Sequence, residues 1–489
     1  MCYGTGAMNR SYLLSDLFPG AFAEGLAVGG LAFDSRAVRP GDVFVALAGA
    51  KADGGRFIAD AVAAGAVAVV SGQARPAELP ARIAYAQVQD PRLALALAAA
   101  VMHPRQPETI VAVTGTSGKS SVADFTRQIY QSLGHEAASL GTIGVVTAKG
   151  AHYGSLTTPD PLSLHLSLEQ LAQEGISHLA MEASSHGLDQ HRLDGVRLRA
   201  GAFLNLGRDH LDYHPSVEAY FAAKMRLWQL LPRGAPVVIN RDEAFAEEAA
   251  ARAVANGHPI IGIGRKGETI TLTAVERQGF TQRLALRVAG RDLAVTLPLV
   301  GDFMAGNALV AAGLAVATGE DAEAAIQAIG GLSGVAGRLE RVGEVQGGLV
   351  VVDYAHKPDA LAAVLATLRG YATGRLICVF GCGGDRDKGK RPLMGAIAAE
   401  KADIAIVTDD NPRSEEPAAI RSEILAASPK LREIGDRAEA IAAGVAMLRA
   451  GDVLLVAGKG HETGQIIGDR TLPFSDHEAV RAAIAEIAG

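Results

Sequence analysis

Residues 111–121 read VAVTGTSGKSS. An apolar β-type run ends at Thr114. Two glycines follow, Gly115 and Gly118, with Thr116 and Ser117 between them, then Lys119 and the hydroxyl pair Ser120 and Ser121. The next segment, SVADFTRQIYQSL, has helical character. Strand, glycine loop and helix, in that order, can cradle a phosphate in backbone N–H groups. The helix N-terminus adds partial positive charge, Lys119 a full charge, and Ser120 a hydroxyl able to ligate Mg²⁺. These residue types predict a nucleoside triphosphate site. The usual pattern opens on a glycine where this chain has Val113, so the loop is a variant, G-x-x-G-K-S. A chance Gly/Ser turn ahead of a helix is the plain alternative.

Other residues carry chemistry of their own. Glu182 ends the strand-like run HLAMEAS (178–184), where a carboxylate can hold Mg²⁺ beside Ser120 or merely face solvent. RDHLDYH (208–214) offers Asp209, His210, Asp212 and His214, a spacing suited to metal or phosphate and equally to a polar turn. Lys224 lies on a helix-like segment among apolar neighbours. A helical lysine is usually solvated, but a buried one must be paired or modified. Asn307, Arg338, Asp353, His356 and Lys357 occur in GDFMAGN, GRLE and VVDYAHKP. An Asp at a strand end suits ribose hydroxyls, and an Arg a transferring phosphoryl group; helix packing, ion pairs and turns are the alternatives. The loop GCGGDRDKGKRP (381–392) carries Arg386, Lys388, Lys390 and Arg391. In DDNPR (409–413), Asp410 and Arg413 share one turn. That pair suits a zwitterion, carboxylate on ammonium and guanidinium on carboxylate, and a plain helix-capping turn fits as well.

The elements that must hold these residues alternate strand and helix. The 489 residues suggest about three domains. Residues 1–107 contain short strands and a helix, and HPRQPE (103–108) reads as a linker. Residues 108–333 show βαβ punctuation, hence a mostly parallel sheet, with three antiparallel-looking strands over 269–299. Residues 334–489 begin a new series in which four β-like runs each end in a polar or glycine-rich loop, as in a doubly wound sheet. The expected fold is α/β, with a central P-loop domain on a parallel sheet and a C-terminal Rossmann-like domain.

Net charge is −7 without a long basic run, which argues against nucleic acid as the main partner. Cys2, Cys378 and Cys382 form neither a C-x-x-C nor a disulfide framework, and a reducing cytoplasm is expected. The N-terminus lacks a signal peptide's apolar stretch. The longest apolar run, Leu93 to Met102, is too short to span a bilayer and reads as a buried Ala/Leu helix.

Taken together, the motifs DSR (34–36), GDVFVAL, TGTSGKSS, LTTPD, MEASSHGLDQHR, DHLDYH, AAKMRLW, GNALVAAG, GRLE, DYAHKPDAL, GCGGDRDKGKRP, DDNPRSE and GKGHE resemble the Mur ligases, in that family's order and across essentially the whole chain. The resemblance implies ATP-dependent amide formation in peptidoglycan precursor synthesis, by a cytoplasmic monomer that neither inserts in a membrane nor binds nucleic acid. It implies ATP on Gly115 to Ser121 with Asn307, Arg338 and Asp353, and one Mg²⁺ on Ser120 and Glu182. It implies a second Mg²⁺ on His210 and a carbamylated Lys224. UDP-N-acetylmuramoyl-L-alanyl-D-glutamate would lie on Phe33, Ser35, Thr157, Thr158, Ser184, Gln190 and Arg192. The incoming amino acid would lie on Arg386, Asp410, Asn411, Pro412, Arg413, Gly458 and Glu462. DNPR is similar to the motif of members that use meso-diaminopimelate. Where relatives often carry His-Gln-Ala, this chain has Ala50, Lys51 and Ala52, and Lys51 could reach a pyrophosphate instead. The rival readings are a lysine-adding ligase, a folylpolyglutamate synthetase, and a P-loop binding module that hydrolyses nucleotide without an amine acceptor.

Overall fold

After a small antiparallel pair, Tyr12–Leu13 with Ala27–Val28, the strands of the first parallel sheet form where short β-branched and alanine runs are cut by Gly and Pro turns. They are β1 (Leu31–Ala32), β2 (Val43–Ala46), β3 (Ala68–Ser71) and β4 (Ala84–Gln87), paired in parallel in that order. Helix α1 (Pro91–Met102) follows. Asp90 caps it by accepting from the N–H groups of Arg92 and Leu93, and Pro91 sits where a missing N–H costs nothing. The run expected to be a buried helix is only half buried. Leu95, Ala96, Ala98 and Ala99 face the core, but Leu97 and Val101 are 47% and 46% exposed, because a helix covering one sheet face buries one stripe.

The computed structural model describes residues 11–22, 25–49, 53–152, 156–207, 209–210, 213–335 and 337–488. Cys2, Ala50, Lys51, Ala52 and Asp212 lie outside the described residues. The chain divides into two compact units, residues 1–261 with 317–319, and residues 262–316 with 320–489.

In the first unit a second sheet follows the linker. Its elements are β5 (Thr109–Thr114), α2 (Lys119–Ser132), β6 (Ala137–Gly141), β7 (Gly144–Thr147), β8 (Gly150–His152), α3 (Pro161–Gln173), β9 (His178–Glu182), α4 (Ser185–Asp189), β10 (Leu198–Phe203), α5 (Val217–Met225) and β11 (Val237–Asn240). The strand order is β8-β7-β6-β9-β5-β10-β11, with β7 alone running against the others. Glu182 lies opposite Val113, and Phe203 opposite Thr114. Three strands therefore finish at one edge, where ligands gather in open parallel sheets. The helix-like segment around Lys224 is α5, which ends at Met225; after Arg226 a one-turn helix runs over Leu227–Leu230.

The second unit opens with an antiparallel meander, β12 (Ile270–Gln278), β13 (Thr281–Val288) and β14 (Arg291–Leu297), then α6 (Asp302–Ala317). Its main sheet contains β15 (Glu340–Val345), β16 (Gly348–Asp353), β17 (Leu376–Phe380), β18 (Ile404–Val407), β19 (Arg432–Glu433) and, after α7 (Arg437–Ala446), β20 (Val453–Ala457). The order is β15-β16-β20-β17-β18-β19, with β15 alone antiparallel. Asp353 and Phe380 both pair with Ala457, so the loops after β16, β17 and β20 start level. A hairpin, β21 (Gly464–Ile467) and β22 (Arg470–Pro473), and α8 (Asp476–Ala488) close the chain.

Arg437 on α7 and Asp476 at the start of α8 form a fully buried bidentate pair at 2.7 and 2.8 Å, and Arg437 also donates to the Ala457 carbonyl at 3.0 Å. Removing one partner strands the other charge in the interior. Asp476→Ala is expected to cost this unit about 3–5 kcal/mol, read as a lower urea midpoint. Cys378 and Cys382 are buried free thiols. Burial pushes both up to about 12, which suits packing rather than reactivity.

Candidate active site

The glycine loop is pinned from across the sheet edge. Asn205, just past β10, accepts from the N–H groups of both Thr116 and Ser117 through its side-chain oxygen, at 3.1 and 3.0 Å. A Cβ on Gly115 would lie 2.8 Å from the Leu204 Cβ, so only glycine lets the two strand ends approach this closely. Gly118 adopts φ +88° and leads into α2. The Lys119 ammonium lies over the loop, donating to the carbonyls of Gly115 and Thr116 at 2.9 and 3.0 Å. Asn205 was not singled out in the sequence. The only trace there is an asparagine next to last in the apolar run AGAFLNL (200–206).

Glu182 is buried at the end of β9, 2% exposed. It accepts from the Thr142 N–H at 2.7 Å and from the Thr142 hydroxyl at 3.3 Å. Glu182 and Ser120 line one small pocket, together with Asp124, Ser139 and Gly141. A Cβ on Gly141 would sit 2.0 Å from a Glu182 carboxylate oxygen, so this glycine makes the room the carboxylate occupies.

Lys224 is 1% exposed. Its ammonium donates to the Gly115 carbonyl at 2.8 Å and lies 4.2 Å from the Tyr220 ring centre. Burial, reinforced by the nearby Lys119 charge, pushes this lysine down to about 6, so the neutral amine is accessible at ordinary pH. Tyr220 joins it to two further groups. Its hydroxyl lies 3.3 Å from that of Thr116, and its ring lies 6.2 Å from His210 and 5.2 Å from His214. His210 is half exposed at φ +53°, with Asp209 3.6 Å from its imidazole. The structure thus gathers Lys119, Lys224 and His210 about the loop.

Thr158, Ser184, Gln190 and Arg192 form one contiguous network. The Thr158 hydroxyl donates to the Glu182 carbonyl at 3.0 Å and accepts from the Ser184 N–H at 3.1 Å. Arg192 donates to the Thr158 carbonyl and to the Gln190 amide oxygen, and Gln190 donates to the Tyr213 hydroxyl. Thr157 reaches the Thr142 hydroxyl at 3.0 Å. Phe33 is exposed on the loop after β1, and Ser35 lies in the turn that Asp34 caps.

In the second unit, Asn307 is buried on α6 with no hydrogen-bond partner for its side-chain nitrogen. Arg338 lies 5.3 Å over the Tyr354 ring, and its Nε also lacks a partner. Asp353 accepts from the Leu339 and Ala355 N–H groups at 2.8 and 2.7 Å, and burial raises its carboxyl above the usual range. It orients the loop that presents Arg338. Gly337, at φ +67°, packs against the chain at Gly460. A Cβ there would come within 2.4 Å of the His461 nitrogen.

Asp410, Asn411 and Glu462 meet although they come from separate loops. Asn411 donates to the Glu462 carboxylate at 2.8 Å and accepts from the Ile466 N–H at 2.9 Å. A Cβ on Gly458 would lie 3.2 Å from the Asp410 carboxylate. Pro412 precedes Arg413, which adopts φ +51° and donates to the carbonyls of Gly384 and Asn411 at 2.8 and 3.4 Å. Arg386 stands outside this group, exposed and donating to the Asp385 carbonyl. Lys459, at the centre, was not singled out in the sequence, because a lysine between two glycines reads as a solvated loop residue.

Family models match three segments of the chain: the Mur ligase family catalytic domain over residues 27–103, the Mur ligase middle domain over 113–315, and the Mur ligase glutamate ligase domain over 337–460. The UDP-N-acetylmuramoyl-L-alanyl-D-glutamate–2,6-diaminopimelate ligase of Bradyrhizobium diazoefficiens is 58% identical over 465 residues, 94% of this chain and 95% of that protein. The chain belongs to the Mur ligase family. A second ligase of the same name, from Rhizobium meliloti, is 58% identical over 94% of this Mur ligase and 95% of its own length. A solved structure carrying that name is 33% identical, with a TM-score of 0.74 over 98% of this chain and 100% of that one. The MurF ligase of Thermotoga maritima in complex with ADP, 20% identical with a TM-score of 0.58 over 94% and 97% of the two chains, shares the three-domain α/β Mur ligase fold.

Proposed function

We infer that this Mur ligase uses ATP to join meso-diaminopimelate to UDP-N-acetylmuramoyl-L-alanyl-D-glutamate. The observation that carries the reading is the near-full-length 58% identity to ligases of that name. Lysine addition, folylpolyglutamate synthesis and a bare binding module are not favoured. The same likeness supports residues 1–107 as the UDP-substrate domain, 108–333 as the ATP domain and 334–489 as the amino-acid domain, in a monomer working in the cytoplasm. Among the described residues no helix is long and apolar enough to cross a membrane.

A carboxylate is a poor electrophile until it carries a leaving group. Its oxygen attacks the γ-phosphorus of ATP, ADP leaves, and an acyl phosphate results. The diaminopimelate amine then attacks the acyl carbon. The tetrahedral adduct loses a proton and expels phosphate, leaving the amide. Gly115 to Ser121 hold the triphosphate, and Lys119 offsets the repulsion between the incoming carboxylate and the phosphates. Asn307 and Arg338 serve the nucleotide, with Asp353 fixing the Arg338 loop. Thr157, Thr158, Ser184, Gln190 and Arg192, with Phe33 and Ser35, hold the muramoyl dipeptide. Asp410, Asn411, Pro412, Arg413, Gly458 and Glu462, joined by Arg386, receive the amino acid. Acyl phosphates hydrolyse, so water must be kept out of this chemistry.

The donor set fits Mg²⁺: a buried carboxylate and a hydroxyl, Glu182 and Ser120, share one pocket. His210 and Lys224 gather beside the loop. The neutral Lys224 amine can add CO₂, forming a carbamate and releasing one proton, which turns a buried base into an anionic ligand. When bound, Mg²⁺ neutralises phosphate charge. Gly141→Ala forces Glu182 off its Thr142 anchor, and a misplacement of that size is expected to slow turnover by about 10²-fold and to raise the Mg²⁺ concentration needed for half-maximal rate.

The direct test supplies the purified chain with ATP, the UDP-muramoyl dipeptide and diaminopimelate. Equal amounts of ADP and tripeptide are expected. ADP release that ignores both acceptor and dipeptide would favour the binding-module reading.

A further inference from the structure

Lys459 is completely buried, yet no step above uses it. Its ammonium lies 3.1 Å from the Asn411 side-chain oxygen, 3.2 Å from the Glu462 carboxylate and 3.8 Å from the Asp410 carboxylate. The Asp410 oxygen facing it has no hydrogen-bond partner. An ammonium has three N–H groups, and three acceptors surround this one. Asp410 and Asn411 follow β18, whereas Lys459 and Glu462 follow β20, and β17 runs between those strands. Strands two places apart stand about 10 Å from each other, so side chains must bring the two loops together. Asn411 donates to Glu462 across that gap, and Lys459 joins the contact by donating to both.

We propose that Lys459 is a positioning residue of the amino-acid site: its buried ammonium gathers Asp410, Asn411 and Glu462 into the single acceptor cluster that receives the diaminopimelate ammonium. The proposal rests on reading the DNPR turn as the amino-acid site. The ammonium stands among two carboxylates and an amide oxygen, so acceptors outnumber the one cation that holds them together. It donates to Asn411 and Glu462, faces Asp410 across 3.8 Å, and does not itself reach the surface. A buried cation costs desolvation, which only partners of this quality offset.

The test is steady-state kinetics on Lys459→Met, which keeps the length of the stem and removes the donors. KM for diaminopimelate is expected to rise about 10- to 100-fold, the loss of one or two charge-assisted hydrogen bonds, while KM for ATP and for the dipeptide stays unchanged. Lys459→Arg, which keeps charge and donors, is expected to recover part of the loss. An unchanged KM for diaminopimelate, or an equal rise for all three substrates, overturns the proposal. If Lys459→Met does not melt cooperatively, Lys459→Gln takes its place with the same two outcomes, and failure of both to fold makes the lysine a folding residue and overturns it. Arg413→Ala separates the two levels. If it raises KM for diaminopimelate where Lys459→Met does not, this proposal alone fails. If it too leaves KM untouched, the reading of the turn fails.

Discussion

Arg413→Met is expected to abolish the preference for diaminopimelate over L-lysine, a preference of about 10⁴-fold in kcat/KM for a site built to pair a substrate group that its rival lacks. Diaminopimelate carries a second carboxylate, and lysine has none in its place. The Arg413 guanidinium is already set by two carbonyls, Gly384 and Asn411, and by a left-handed backbone at its own position. It has five donors, so others remain for a bidentate grip on that carboxylate. With lysine in the site, those donors face no anion, and the loss appears in the transition state as well as in binding. The Met variant is expected to use both amino acids slowly and with similar efficiency. An acceptor panel run side by side on the two chains measures this, and a variant that still prefers diaminopimelate by the full margin would remove Arg413 from specificity.

Lys224→Met is expected to lower the rate of tripeptide formation by about 10²–10³-fold, the scale set by losing one preorganised charge at a reacting phosphoryl group. The unaltered chain, stripped of CO₂ in acid and returned to neutral pH, is expected to regain activity on adding bicarbonate, and the Met variant is not. Stability carries a second signature. The folded lysine sits at about 6 against an ordinary 10.5, so between those values the unfolded chain binds the extra proton. Stability of the unmodified chain therefore rises with pH across that window, and below it the burial penalty is felt in full. Lys224→Met removes this slope. Urea denaturation at several pH values reads it directly, and an unaltered slope would mean that Lys224 is charged in the folded state.

Much of this was legible in the chain because the residues involved are close in sequence. The phosphate loop is written between one strand and one helix, and the structure reproduces it as β5, a loop and α2. Glu182 was readable because an apolar run ends on it, and β9 does lie beside β5. The apolar neighbours of Lys224 hinted at burial, though not that it would lie against the loop's own carbonyl. What stayed hidden depends on strand order. Asn205 holds Thr116 from 89 positions away, and nothing in the spacing says that β10 ends beside β5. Lys459 sits between glycines, a solvent-facing context, and is buried because β20 lies inside the sheet. The gathering of Asn411 with Glu462 has the same origin. The Leu93–Met102 helix was overread, since an unbroken Ala/Leu run does not say how many of its faces a sheet will cover.

The contact between Gly337 and Gly460 has a mechanical meaning. One flank of that seam continues into the arginine assigned to the nucleotide, and the other into the glutamate assigned to the amino acid. Neither flank has a side chain at the seam, and backbone lies directly against backbone. A methyl group at position 337 would collide with the chain at Gly460 and His461, so the two flanks could keep their places only with glycine there.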